Sequence, residues 1–397
     1  MSAITIVGKF AARLGQGLSS STGTIVIPAE CVLDIPDVEY DNYCFSDGVG
    51  IMSPESAQEI SAMMGHQGIY SAIQVRFKGA KGVLSIGNLP QGKQIALRKS
   101  MIKFPGNTEH NTVEVLAFAS EMKCFLNRQA IVILSDLCIS DGVFMNLLET
   151  MLSHVENCLA SNDSAKVMVW DHCGNGMAYQ MLQARFCVTR EPFLHAIIKA
   201  IKNKLLLDLR LKARIYIPGG VNLIGIMDET KSMPSGTIFF SRKSENYLPE
   251  GTQVVVYRNP CMHPGDIRIL KMHYPPNHKI LNDVVVFPAL GTRPHCNEMS
   301  GGDLDGDIYS VIYDPLLIPE KCAEPLGYRT PTPPSNTFAI GTSHIQDFFV
   351  NYIMNDNLGV IANAHLAWAD LKGSRSLECL ELAELHSIAG YPLFYNS

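Results

Sequence analysis

Three aspartates alternate with other residues in the segment NEMSGGDLDGDIYSV, which covers residues 297–311. The aspartates are Asp303, Asp305 and Asp307. Alternate residues of an extended chain point to one side, so the three carboxylates are expected to converge while Leu304 points into a core. Like charges a few ångströms apart repel each other by roughly a few kcal/mol per pair at intermediate dielectric. The spacing therefore predicts that a positive charge lies between the carboxylates.

Mg²⁺ fits this pattern best, because proteins bind it through a few carboxylates together with substrate phosphates. A calcium loop of the EF-hand type requires glycine at its sixth position and glutamate at its twelfth, where the sequence has Ile308 and Asp314. The alternative is a solvated acidic turn, but the following apolar segment IYSVIY predicts a buried strand that leaves the loop. A magnesium site of this kind points to phosphoryl or nucleotidyl transfer.

The composition is that of a globular protein with two or more domains, since 47% of the 397 residues are hydrophobic and 18% are charged. The sequence contains neither an apolar run of about eighteen residues nor a secretory signal, so we expect no membrane association. The eleven cysteines form no C-x-x-C pair, which favours reduced, buried thiols over disulfides or a zinc site. These features predict an intracellular protein.

Two basic segments stand out against the formal net charge of −6. The first covers residues 76–103 and contains no acidic residue. Its basic residues are Arg76, Lys78, Lys81, Lys93, Arg98, Lys99 and Lys103. The second covers residues 199–214 and contains Asp208 as its single acid. Either segment could bind a polyanion, although a solvated basic face has the same composition.

The order of helices and strands is predicted from the local composition and the hydrophobic periodicity of the chain. Residues 23–103 consist of short β-rich pieces separated by Gly and Pro, and a second β-rich block begins near residue 214. Between them, long segments such as GVFMNLLETMLSHVENCLA and PFLHAIIKAIKNKLLLDLRLKAR show helical spacing. The proline-rich connector RTPTPPSNT, at residues 329–337, precedes further helical segments. Two β modules are therefore expected to flank a helical segment.

The segment SGGDLDGDIY resembles the D-b-D-G-D signature of the eukaryotic cellular RNA-dependent RNA polymerases of RNA silencing, whose three aspartates bind catalytic magnesium. Further segments resemble this family in the same order, from about residue 9 to 389: AARLGQGLSSS, FSDGVG, QVRFKGAKGVL, LRKSMIKF, LNRQAIVILSDL, ARIYIPGGVNLIGIMDET and YRNPCMHPGDIR. The run RNPCMH is also similar to the R-x-P-x-L-H segment of the largest subunit of DNA-dependent RNA polymerases, with Met262 in place of leucine.

The resemblance implies an α+β fold in which two double-psi β-barrel modules are separated by a helical neck and followed by C-terminal helices. The expected units are a first β-barrel module at 1–110, the neck at 111–214, a second module with the aspartate loop at 215–330, and a C-terminal helical segment at 331–397. The family extends beyond both ends of this sequence, so we expect a truncated core or a fragment.

The resemblance also implies an RNA-directed RNA polymerase that uses Mg²⁺, a single-stranded RNA template and ribonucleoside triphosphates, and works with RNA-silencing proteins in the nucleus or cytoplasm. The aspartates would be both catalytic residues and metal ligands. The residues expected to contact substrate or RNA are Arg76, Lys81, Lys103, Arg258 and His263. The basic residues could instead be ordinary surface charges, and His263 a packed structural residue. Two alternatives stay open: a catalytically idle RNA-binding remnant, and a polymerase that copies DNA.

Overall fold

The computed structural model describes residues 4–16, 18, 20–106, 111–242, 247–328 and 340–389. The first elements are α1 (Val7–Gln16), β1 (Thr22–Val26), β2 (Val32–Ile35), β3 (Glu39–Tyr40), β4 (Tyr43–Cys44), β5 (Val49–Met52), α2 (Pro54–Met63), β6 (Ala72–Phe77), β7 (Ala80–Ile86), β8 (Ile95–Arg98) and β9 (Thr112–Phe118). Next come β10 (Met122–Phe125), α3 (Arg128–Asp136), α4 (Asp141–Asn157), α5 (Asn162–Cys173), α6 (Met177–Gln183) and α7 (Pro192–Lys212). The last elements are β11 (Tyr216–Met227), β12 (Thr237–Ser241), β13 (Gln253–Arg258), β14 (Arg268–Met272), β15 (Val284–Phe287), α8 (His295–Glu298), β16 (Ile308–Ile312), α9 (Thr342–Met354), α10 (Leu358–Lys372) and α11 (Leu377–Ala389).

The first sheet has the strand order β1-β9-β6-β7-β5-β8-β2 and mixes parallel and antiparallel pairs. Its central hairpin, β6–β7, turns through Lys78 and Gly79, which both have positive φ values of 46° and 81°. Two such residues in succession form the type of turn whose twist matches that of a two-stranded ribbon. The turn fixes the register in which the side chains of β6 face those of β7.

The second sheet closes on itself, with the order β10-β11-β15-β12-β14-β13-β16 and an additional pairing between β11 and β16. The long strand β11 makes this closure possible. Its residues 220–224 pair with β16, and its residues 224–227 pair with β15. The prediction of a buried strand after the aspartates is confirmed, because β16 lies between β11 and β13 and four of its five residues are buried.

The two sheets share one hydrophobic core. A single cluster of buried side chains includes Ile73 and Leu84 of the first sheet together with Leu223, Val286 and Val311 of the second. A bidentate ion pair also joins the sheets, since Arg98 contacts Glu229 at 2.7 and 2.9 Å. Burial of a common apolar surface is the main force that fixes one sheet against the other.

The helical segment between the sheets packs around its own core of buried residues, which come from α4, α5, α6 and α7. The helical spacing predicted α4 and α7 correctly. The expected start of this segment at residue 111 was wrong, because residues 112–118 form β9 of the first sheet and residues 122–125 form β10 of the second. The first neck helix therefore begins at Arg128, and the division into four units stays a proposal.

The C-terminal helices α9, α10 and α11 follow the second sheet, and α1 packs against α9 through Val7, Ala11 and Phe348. The proline-rich connector expected at 329–337 lies outside the described residues. Within the described part of the chain, no helix has the length and apolar character needed to span a bilayer. All eleven cysteines carry free thiols.

Candidate active site at the junction of the two sheets

The β6–β7 hairpin places three polar side chains of the first sheet on one face. Arg76 and Lys81 are direct cross-strand partners, and Gln74 lies two residues before Arg76 on β6. Side chains two residues apart in a strand share a face, and cross-strand partners stand side by side. The hairpin therefore presents Gln74, Arg76 and Lys81 as one polar group.

This face of the hairpin meets Asp305. The Lys81 ammonium lies 2.9 and 3.1 Å from the two carboxylate oxygens of Asp305. The Lys103 ammonium lies 3.9 Å from the same carboxylate. The backbone N–H of Lys103 donates to the carbonyl of Gly79, which ties this lysine to the hairpin turn. Two lysines of the first sheet thus surround one aspartate of the second.

Asp307 pairs with an arginine of its own sheet. Arg258 ends β13 opposite Tyr309 of β16, so its side chain reaches back along the aspartate loop. Its guanidinium contacts the Asp307 carboxylate at 2.6 Å through Nε and at 3.2 Å through Nη2. Burial opposes the charged form of Arg258, but the Asp307 carboxylate raises the pKa of this guanidinium above its ordinary value.

Asp303 lacks a basic partner of this kind among the described ion pairs. Its Oδ1 atom accepts the backbone N–H of Asp305 at 3.1 Å, and its own N–H donates to the Asp307 carboxylate at 3.0 Å. Burial, followed by the nearby charges of Asp305 and Asp307, raises the pKa of Asp303 to about 7. An added cation would therefore favour the charged form of Asp303.

The aspartate loop bends rather than running extended, which corrects the expected reason for convergence. Gly306 has a φ of +132°, and a Cβ atom there would lie 1.9 Å from the Gln74 amide nitrogen. Gln74 donates to the backbone carbonyl of Asp305 at 3.0 Å. The bend turns Asp305 towards the first sheet and Asp307 towards Arg258, while Leu304 is fully buried as predicted.

The turn at Asp47 and Gly48 of the first sheet also touches the loop. The N–H of Leu304 donates to the Asp47 carbonyl at 2.8 Å. Gly48 has a φ of +87°, and a Cβ atom there would lie 2.5 Å from the Asp305 Cβ. Burial, opposed by Lys103 and reinforced by Asp305, raises the pKa of the Asp47 carboxyl. Asp47 thus brings a fourth carboxylate to the site.

The set of donor atoms suits a hard divalent cation. Four carboxylates, those of Asp47, Asp303, Asp305 and Asp307, lie close together near three basic side chains, those of Lys81, Lys103 and Arg258. Carboxylate oxygens are the ligands that hard cations of this class prefer. Burial, followed by the charges of Asp305 and Asp307, raises the pKa of Asp303, and a cation bound beside it would favour its charged form.

Two cavities adjoin these residues. One, of about 320 Å³, is lined by Asp303, Asp307 and Arg258 on one side and by His386 of α11 on another. The second, of about 590 Å³, is lined by basic residues of the first sheet and by Arg13 of α1. The smaller cavity therefore gives a ligand access to the aspartate loop.

The predicted residues are not all equally close to the aspartates. Lys81, Lys103 and Arg258 contact them directly, whereas Arg76 lines the larger cavity beside Lys81. His263 lies in the turn after β13, where its Nδ1 atom accepts the N–H of Gly265 at 3.0 Å. Burial, opposed by Asp266, lowers the pKa of His263. This contact fits the structural alternative for His263, and its role in RNA binding stays a prediction.

Sequence reasoning did not select Gln74, Asp47 or Tyr309. The Tyr309 hydroxyl donates to the Asp303 carbonyl at 2.7 Å, and the other two residues also contact loop backbone atoms. Gln74 could have been found from its two-residue spacing to Arg76. Asp47 accepts through its backbone carbonyl and Tyr309 donates through its hydroxyl, and no spacing in the sequence indicates either contact.

The site thus consists of aspartates on a loop of a closed barrel that face lysines of the other sheet across one cleft. The family model described as RNA dependent RNA polymerase matches residues 1–389. Among curated proteins, RNA-dependent RNA polymerase 1 of Arabidopsis thaliana is 37% identical over 403 residues, covering 96% of this chain and 36% of the relative. RNA-dependent RNA polymerase 1 of Schizosaccharomyces pombe is 32% identical, covering 98% of this chain and 35% of the relative.

The chain belongs to the RNA-dependent RNA polymerase family. It spans little more than a third of the length of these two relatives. The solved structure of the RNA dependent RNA polymerase QDE-1 from Thielavia terrestris matches with a TM-score of 0.76 at 20% identity, covering 96% of this chain and 48% of that one. The match confirms the predicted α+β fold with two double-psi β-barrel modules and C-terminal helices.

Proposed function

We propose that this chain is the catalytic core of an RNA-directed RNA polymerase, which adds ribonucleotides to RNA on a single-stranded RNA template. The meeting of Asp305 from one sheet with Lys81 and Lys103 from the other carries this proposal. Family membership supports the same reaction. The complementary RNA produced would make the template double-stranded, which is the form used in gene silencing.

Mg²⁺ is the proposed cofactor, held by Asp303, Asp305 and Asp307. When bound, it supplies Lewis-acid activation of the attacking hydroxyl and neutralises charge on the phosphates. Asp303, with its pKa raised to about 7, is the ligand that would lose a proton when the ion binds.

The basic side chains have a separate task in this proposal. Lys81 and Lys103 would bind substrate phosphates, and Arg76 would extend this contact along the larger cavity. Arg258 would orient the ribose or a phosphate, because its planar guanidinium can make two contacts at once while Asp307 holds it in place. His263 would contact RNA near the same turn.

The proposed partners are a single-stranded RNA template, ribonucleoside triphosphates and RNA-silencing proteins, in the nucleus or cytoplasm. The similarity to RNA-dependent RNA polymerases of Arabidopsis thaliana and Schizosaccharomyces pombe supports the RNA template and the nucleotides as partners. The second function to be tested is that of a catalytically idle RNA-binding protein. The larger cavity, lined by Arg76 and Lys81, could bind RNA phosphates whether or not nucleotides are joined, and this favours testing the alternative.

The deciding experiment measures nucleotide incorporation on single-stranded RNA and single-stranded DNA templates with Mg²⁺. The full chain is compared with a variant in which Asp303, Asp305 and Asp307 are all replaced by alanine. Incorporation on RNA by the unchanged chain, but not by the triple variant, supports the proposal. Equal RNA binding by both proteins without incorporation would favour the idle RNA-binding protein, and incorporation on DNA would reassign the template.

A further inference from the structure

A fifth carboxylate, that of Asp266, borders the smaller cavity together with Asp303 and Asp307 and has no role in the proposed reaction. It ends the short turn between β13 and β14, and only 1% of its surface is exposed. Its Oδ2 atom accepts the backbone N–H groups of Met262 and His263, each at 2.9 Å. Its Oδ1 atom accepts the backbone N–H of Ser300 at 3.1 Å and the hydroxyl of Tyr328.

The two oxygens of Asp266 therefore join separate parts of the chain. One oxygen holds the turn after β13, and the other holds the start of the aspartate loop and the segment after the second sheet. Hydrogen bonds to a charged acceptor are stronger than neutral ones, and a buried donor left without its acceptor costs about 1–3 kcal/mol. Burial and the Asp266 charge raise the pKa of Tyr328, so this hydroxyl keeps the proton that it donates.

Ser300 needs such an anchor because of its backbone. Its φ of 54° lies in the left-handed region, which is unfavourable for residues other than glycine, and Gly301 follows with a φ of 62°. Ser300 is also held by Arg258, whose Nη1 donates to the Ser300 carbonyl at 3.4 Å and whose carbonyl accepts the Ser300 hydroxyl at 3.3 Å. Asp266 and Arg258 thus fix this bend from two sides, three residues before Asp303.

We propose that Asp266 is a positioning residue that fixes the bend at Ser300 and Gly301 and thereby sets the geometry of the three loop aspartates for a divalent cation. The inference rests on the proposed function, in which those aspartates hold the ion. Partners that orient the ligands of a metal usually contribute about 10- to 100-fold to metal affinity. Asp266 acts here through the backbone of the loop rather than by touching the ion.

The test is the replacement Asp266→Asn, which keeps the size of the side chain and removes one strong acceptor. Asp228→Asn is the matched control. Asp228 is 2% exposed and accepts backbone N–H groups of Thr230 at 3.0 Å, Ser232 at 2.7 Å and Met233 at 2.9 Å, all within one turn of the second sheet. Both changes remove a buried carboxylate from a turn, but only Asp266 is hydrogen-bonded to Ser300.

Mn²⁺ is the probe, and its binding to the full chain is measured by electron paramagnetic resonance together with the melting temperature. We expect Asp266→Asn to weaken Mn²⁺ binding by about 10-fold or more. Asp228→Asn should lower the melting temperature and change Mn²⁺ affinity less than about 3-fold. Unchanged affinity in Asp266→Asn, or an equal loss in both variants, would overturn the inference.

Two further variants keep the outcome unambiguous. If Asp266→Asn does not fold, Tyr328→Phe removes a single donor from the same carboxylate oxygen. Mn²⁺ binding weaker by about 3-fold or more supports the inference, and unchanged binding contradicts it. Asp305→Asn tests the proposed function itself. If the wild type does not bind Mn²⁺, or binds it no more tightly than Asp305→Asn does, the metal site and the role of Asp266 are both rejected.

Discussion

Most of the acidic side chains at the cleft come from the second sheet and most of the basic ones from the first, with Arg258 and Asp47 as the exceptions. The second sheet supplies Asp303, Asp305 and Asp307 on a bent loop, and the first supplies Lys81 and Lys103 at a hairpin. The two lysines repel each other, and so do the aspartates, whereas the pairing of Lys81 and Lys103 with Asp305 relieves both repulsions across the junction of the sheets. Neither sheet forms the site alone, so the contact between the sheets is part of the chemistry.

The acidic side is also the more strongly constrained of the two. Loop backbone atoms are held by Gln74, Tyr309 and Asp266, while Lys81 and Lys103 reach the site with flexible side chains. A metal ion requires fixed ligand positions, but a phosphate can be bound by a mobile point charge. This difference predicts larger effects from changes on the acidic side than on the basic side.

The largest effect is expected for Asp305→Asn. Asparagine keeps the shape of the side chain but removes a negative charge that the divalent cation needs, so incorporation on single-stranded RNA should fall by about 100-fold or more. Asp314→Asn is the control, since Asp314 follows the same strand and accepts the N–H of Leu316 at 3.0 Å. Retention of more than about a tenth of wild-type turnover, with normal Mg²⁺ dependence, would remove Asp305 from the site.

A smaller effect is expected for Arg258→Lys. Lysine keeps the charge but loses the planar fork, so turnover should fall by roughly tenfold, equivalent to about 1.4 kcal/mol, while the melting temperature changes little. Arg242→Lys is the control, because Arg242 lies next to β12 and contacts Glu121 and the Tyr313 ring. If Arg258→Lys instead lowers the melting temperature and leaves RNA handling unchanged, Arg258 is a structural residue.

The basic side is tested by Lys81→Ala and Lys103→Ala. Each change should weaken RNA or nucleotide binding and reduce its dependence on salt by about one released counterion, provided that the lysine touches a phosphate. Lys93→Ala serves as control, since its ammonium donates to the carbonyl of Glu30 at 2.6 Å elsewhere in the first sheet. If binding by these variants depends on the salt concentration as steeply as binding by the wild type, Lys81 and Lys103 only neutralise Asp305.

The smallest expected effect is on stability. The pKa of Asp303 is raised in the folded chain to about 7, so this carboxyl holds its proton more tightly when folded than when unfolded. The resulting destabilisation starts above the unfolded pKa near 4 and is complete above pH 7. In EDTA, Asp303→Asn should therefore raise the melting temperature at pH 8 by about 2 °C or more, with a smaller gain at pH 5. An equal gain at both pH values would contradict the raised pKa.

The sequence indicated the residues that contact one another in the site, but not the residues that hold the aspartate loop in place. The spacing of the aspartates predicted a neighbouring positive charge, and the resemblance singled out Lys81, Lys103 and Arg258, which the structure places there. Asp47 and Asp266 act on loop backbone atoms, and their partners lie more than thirty residues away in sequence. No local spacing records such contacts, because they depend on how the chain folds.

The fold shows the same limit at the start of the neck. The helices α4 and α7 were predictable from their apolar spacing, whereas β9 and β10 were assigned to the helical segment. Both are short, with seven and four residues, and their partners β1 and β11 lie about ninety residues away along the chain. Strand pairing over such distances depends on the tertiary fold, so local periodicity alone did not reveal it.

The central claim is that acids from one sheet and bases from the other act as a single site. A double-mutant cycle with Lys81→Ala and Asp305→Asn tests it most directly, using the affinity of the chain for a ribonucleoside triphosphate in the presence of Mg²⁺. We predict that the two changes are coupled by at least about 0.5 kcal/mol, because the residues pair at 2.9 Å and share the substrate. Additivity to within about 0.3 kcal/mol would contradict a joint site.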